Sequence, residues 1–128
     1  MTEHAALVAE LVERVFSSRN LAHLSHWKTR SYAEHRALGD FYENVITAID
    51  AFIEKHQAAF GLIRSGREEK EKEEEGSPED ILACLQDDVK WLNKNRSSIC
   101  RDIPTLENDL DDVIGVYLTT IYKLRFLS

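Results

Sequence analysis

Turn-forming residues are scarce in this chain, with two prolines and five glycines among 128 residues. That excludes a fold of many short strands and favours a few long helices. Positive charge is in deficit as well: 16 Lys and Arg stand against 23 Asp and Glu, a net charge of -7. Binding to nucleic acid draws on a Lys/Arg surplus, so DNA is not an expected partner. No apolar run approaches the ~18 residues of a membrane span. The opening MTEHAALVAE has no basic n-region, so neither membrane insertion nor secretion is expected. Cys84 and Cys100 are the two cysteines, without metal-ligand spacing. On one helix they would sit ~24 Å apart, too far for a disulfide. A reducing cytoplasm is the expected setting.

What is present suffices for one domain, residues 1–128. Hydrophobic residues make up 43% and charged residues 30%, ordinary for a folded chain with a single core. Leu7, Val8, Leu11, Val12, Val15 and Phe16 recur at helical spacing and predict a first helix over residues 3–26. A polar turn at Lys28–Arg30 follows, and Ser31 with Glu34 three residues on reads as a capping box. Leu38, Phe41, Val45, Ile49, Phe52 and Phe60 predict a second helix from Tyr32 to Arg64, stopped by Gly66.

Residues 66–78 form a charged connector, with six glutamates and two lysines between Glu68 and Glu75. It reads first as a solvated linker. Ser77 and Pro78 signal a helix start, and Ile81, Leu82, Leu85, Val89 and Leu92 line a third helix that ends near Cys100. After a break at Asp102–Thr105, Leu106, Leu110, Val113, Ile114, Tyr117, Leu118, Ile121 and Leu124 define a fourth. Antiparallel neighbours need ~2–8 residues between them, and this connector is longer, which suggests a crossover. The fold class is therefore all-α: a four-helix bundle, ferritin-like, with a long crossover between the second and third helices.

The densest set of ligand-type side chains lies around the first turn. His23, His26 and His35 are three of the five histidines, and Asp50 and Glu54 follow at the i,i+4 spacing that puts both carboxylates on one helical face. Imidazole and carboxylate without thiolate suit iron or manganese. His35 and Asp50 are fifteen residues apart on one helix, or ~22 Å, so they share an ion only across a twofold axis between two copies. A homodimer at least is thus expected. The plainer readings are a packed structural role for His23 and His26, an ordinary acidic face for Asp50 and Glu54, and a core or interface anchor for Trp27. His4 and His56 have no acidic constellation around them and are assigned no role. Glu-x-x-His is absent, which excludes the intrachain di-iron centre of larger ferritin-like enzymes.

His26-Trp27, then His35, then Asp50-Ala51-Phe52-Ile53-Glu54 resembles the ferroxidase stretch of the Dps-type mini-ferritins. The resemblance implies iron(II) oxidation by dioxygen or peroxide, with His26, His35, Asp50 and Glu54 as the residues of a site shared by two subunits. His23 is an additional candidate ligand. It also implies a shell of twelve subunits. The interval from His26 to His35 is shorter than in that family, the further acidic position four residues after the second histidine is Gly39, and the lysine-rich tail is missing. Ser18 to Leu38 and Tyr122 to Leu127 are similar, in addition, to small proteins encoded by large tailed phages. That likeness places the chain in a host cytoplasm and leaves a second expectation: a non-catalytic helical protein acting through a protein partner or through assembly.

Overall fold

A computed structural model of the chain describes residues 2–63 and 80–128. These residues form α1 (Glu3–Lys28), α2 (Tyr32–Phe60), α3 (Ile81–Cys100) and α4 (Pro104–Phe126), with no strand among them. Three helices start where a short polar side chain accepts from an orphan amide, and the fourth starts at a proline, which has no amide to satisfy. Thr2 accepts from the amide of Ala5, Ser31 from that of Glu34 and Asp80 from that of Leu82, while Pro104 opens α4. The expected start at Ser77 and Pro78 lies outside the described residues, and Asp80 is the cap that α3 uses.

Two expectations need correction. The second helix stops at Phe60 rather than Arg64, because Gly61 takes φ 100° and its amide closes onto the carbonyl of Gln57. Glycine enters that conformation without a Cβ penalty. Phe16, Phe60 and Leu118 are 47%, 41% and 50% exposed rather than on the inward stripes; on α1 that stripe is held by Val8, Leu11, Val15, Ser18 and Ala22.

α1 packs against α2 and α3, and α4 packs against the same two helices from the other side. The directions follow from residue pairs. His4 meets His56 and His26 meets His35, so α1 and α2 are antiparallel. Lys55 pairs with Asp109 at 2.8 Å and Lys123 with Asp40 at 3.6 Å, so α2 and α4 are antiparallel. His4 reaches the carbonyl of Ile99 while Arg14 reaches Asp88, so α1 and α3 are antiparallel too. α2 and α3 therefore point the same way. The residues that join them, 64–79, lie outside the described residues, and so does the expected crossover.

Phe41, Phe52, Leu11, Leu38, Leu85, Leu92, Leu106 and Leu110 are fully buried between the helices. Each such side chain contributes ~1.5–3 kcal/mol, against ~1 kcal/mol for a helix cap, so packing outweighs the caps. One polar seam crosses this core. Arg14 donates to Asp88 at 2.8 Å, and the hydroxyl of Tyr117 lies 3.4 Å from Asp88 and 2.6 Å from Ser18. Burial pushes the Asp88 carboxyl up, and its bonds to Arg14, Ser18 and Tyr117 oppose that push. Cys84 and Cys100 are free thiols, as the helical spacing requires, and burial raises both to about 12. Neither is a nucleophile at neutral pH. No described helix is long and apolar enough to cross a membrane.

Candidate functional site

The turn between α1 and α2 brings His26 and His35 together. Their rings stack with centroids 3.7 Å apart and planes 17° from parallel. The contact is reciprocal: Nδ1 of His26 lies 2.7 Å from the carbonyl oxygen of His35, and Nδ1 of His35 lies 2.9 Å from that of His26. A carbonyl only accepts, so both Nδ1 atoms carry the proton, and each ring in its neutral form keeps a bare Nε2. This is the tautomer that a metal-binding imidazole needs, with its other nitrogen tied to the main chain.

Local sequence explains why the turn closes this way. Ser31 ends the turn and caps α2, while Thr29 receives the amide of Ser31 and donates to the carboxylate of Glu34. Glu34 thus reaches Thr29 rather than the cap amide of a simple capping box. Gly39 leaves room for the His26 ring: a Cβ there would lie 3.1 Å from Cε1 and 3.3 Å from Nδ1 of His26. The position at which the mini-ferritin pattern sets a further acid is, in this fold, the floor under an imidazole.

His23 belongs to the same aromatic layer. Its ring stacks on Tyr42 with centroids 3.9 Å apart and planes 18° from parallel, and it sits 6.2 Å from the ring of His26. Trp27, expected as an anchor, is 67% exposed and touches the His23 ring with centroids 4.7 Å apart.

Asp50 and Glu54 are not part of this cluster. Both are exposed on the outer face of α2, Asp50 ~22 Å and Glu54 ~28 Å along the axis from His35 at helical rise. At 100° per residue Asp50 stands ~60° and Glu54 ~100° around the helix from His35, whose ring is turned toward α1. Neither acid makes a hydrogen bond or ion pair with another described residue. Among the described residues no three His, Cys, Asp or Glu side chains gather around a point that would hold a metal ion. The imidazole pair thus lies at one end of α2 and the carboxylate pair toward the other.

Sequence reasoning missed two groupings. The Arg14–Asp88–Tyr117–Ser18 seam joins residues far apart in sequence, and only the charge of Asp88 on an otherwise apolar stripe of α3 hinted at it. His4 and His56 lie together at the opposite end of the bundle, with Nε2 atoms 3.3 Å apart. Their separation by 52 residues hid the pairing.

A family model described as a family of unknown function, DUF5856, matches residues 26–124. The match begins at His26, takes in His35, Asp50 and Glu54, and leaves His4 outside. No curated protein and no solved structure matches the chain.

Proposed function

The chain belongs to that family of unknown function, and from this premise we propose that it is a mini-ferritin-like protein that takes iron as its substrate. Two copies, paired antiparallel along α2, set the His26 and His35 imidazoles of one against Asp50 and Glu54 of the other. The single observation that carries this reading is the reciprocal clamp, which leaves Nε2 bare on both rings at 2.7 and 2.9 Å Nδ1–carbonyl distances. The imidazole pair and the carboxylate pair would hold iron(II), or manganese, while dioxygen or peroxide takes the electron. The parallel course of α2 and α3 supports the ferritin-like connection, since an end and a start at opposite ends of a bundle require a crossover.

The test is iron(II) oxidation under air. Wild type is expected to oxidise iron faster than buffer, and the Asp50→Ala/Glu54→Ala chain is expected to lose that gain. Equal rates for the two proteins would overturn the reading.

A second reading rests on a different observation. Trp27, Tyr32 and Phe126 are 67%, 71% and 62% exposed, and the Lys123–Asp40 pair brings the end of α4 beside the start of α2. Large exposed aromatics at one end of a bundle suit a protein interface. A non-catalytic helical protein would use this end for assembly or for a protein partner. It would stay assembled after iron is chelated and show no oxidation above buffer.

A further inference from the structure

At the end of the bundle away from His26, His4 in the first turn of α1 faces His56 near the end of α2. Nε2 of His4 lies 3.0 Å from the carbonyl oxygen of Ile99 at the end of α3 and 3.3 Å from Nε2 of His56. The carbonyl only accepts, so the His4 nitrogen carries a proton aimed at it and has no lone pair left for His56. Nε2 of His56 then presents a bare lone pair toward Nε2 of His4. Nδ1 of His56 is buried without a partner, and the residue is 3% exposed. A phenylalanine would fill this space with no stranded nitrogen, so packing alone does not account for the residue. Burial, with repulsion from His4, lowers His56 to about 4.

We propose that Nε2 of His4, Nε2 of His56 and the carbonyl oxygen of Ile99 form a site for a divalent transition metal of the zinc class. Zinc bonds nitrogen at 2.0–2.1 Å, and two tetrahedral ligands at that distance stand ~3.3 Å apart. The two imidazole nitrogens are 3.3 Å apart, and the carbonyl edge is a few tenths of an ångström shorter at 3.0 Å. The metal replaces the proton on Nε2 of His4, which moves to Nδ1, so the ring stays neutral. Phe60 stands edge-on to His4, with centroids 5.0 Å apart, and holds the ring in place. A cleft of about 560 Å³ borders His4 and is lined in part by Glu3, Ser97 and Asp102. Water or one of those oxygens completes the shell there. Two imidazoles select zinc, nickel or cobalt over magnesium and calcium. Bound metal would tie α1, α2 and α3 together at this end.

The site is ~33 Å along α1 from His26, so its test is separate from that of iron oxidation. The full-length chain, stripped with a chelator, is titrated with zinc chloride by calorimetry and melted with and without zinc. Wild type is expected to melt higher with zinc, and a His26→Asn/His35→Asn chain, which lacks the imidazoles of the other candidate site, to bind about one zinc per chain. His4→Ala and His56→Phe are each expected to weaken zinc binding by more than about tenfold. The His56→Phe chain is expected to melt no lower than wild type without zinc, so its lost response is not unfolding. A His26→Asn/His35→Asn chain is expected to keep the zinc response. The proposal is overturned if wild type shows no zinc-dependent shift, if both His4→Ala and His56→Phe retain it, or if only the His26→Asn/His35→Asn chain loses it.

Discussion

An alanine at position 39 would set its Cβ 3.1 Å from a ring carbon of His26. That ring has no freedom to retreat, because it is bonded at 2.7 Å to the carbonyl of His35 and stacked at 3.7 Å on the His35 ring. Glycine inside a helix ordinarily costs ~0.8–1 kcal/mol relative to alanine. Gly115, exposed on α4 with nothing within 4 Å of its Cβ position, is the internal control. Gly115→Ala is expected to raise stability by about 0.8 kcal/mol, and Gly39→Ala to leave it level or lower. Urea denaturation of the two variants checks this; equal gains would show that His26 is not held as described. At this scale the sequence was legible in residue type but not in contact. Gly39 read as a missing acid because a helix wheel does not show which ring lies across it. His4 and His56 read as unconnected because nothing in one sequence relates residues 52 apart on antiparallel helices.

Helices were legible wherever capping and periodicity agreed. Ser31 followed by Glu34 marked the start of α2, and Ser31 does cap it, with the amide of Glu34 3.1 Å from its hydroxyl. The cap has a second consequence, because it fixes the turn that carries His35. Ser31→Ala is expected to cost ~1 kcal/mol and to lower the melting temperature by roughly 3–5 °C. Circular dichroism melting checks the value, and an unchanged melting point would mean the turn is held by the histidine clamp alone. The end of α2 was misread because two glycines compete for the role. Gly61 comes first and takes φ 100°, and no local pattern ranks it above Gly66. Phe16 was misplaced by the same limit, since Ser18 is drawn inward by the hydroxyl of Tyr117 at 2.6 Å on another helix.

For the whole molecule, the four-helix layout follows from four apolar stripes and two short turns, all visible in the sequence. Which helices lie beside each other does not, because it depends on pairs such as Lys55 with Asp109 and Arg14 with Asp88. The proposed iron ligands were visible as residue types at known intervals, and helical rise alone separates them too widely for one chain to close that site, so the proposal needs a second copy. A complementation measurement tests that necessity most directly. One chain carries His26→Asn/His35→Asn, which keeps a side-chain donor near the Nδ1 position but removes Nε2; the other carries Asp50→Ala/Glu54→Ala. Each alone is expected to oxidise iron(II) no faster than buffer. Unfolded together and refolded, they form mixed dimers in which one of the two sites is whole, so the mixture is expected to recover about a quarter of the wild-type rate. A mixture as inactive as its parents, from chains that fold and dimerise, would contradict an iron site shared between two copies.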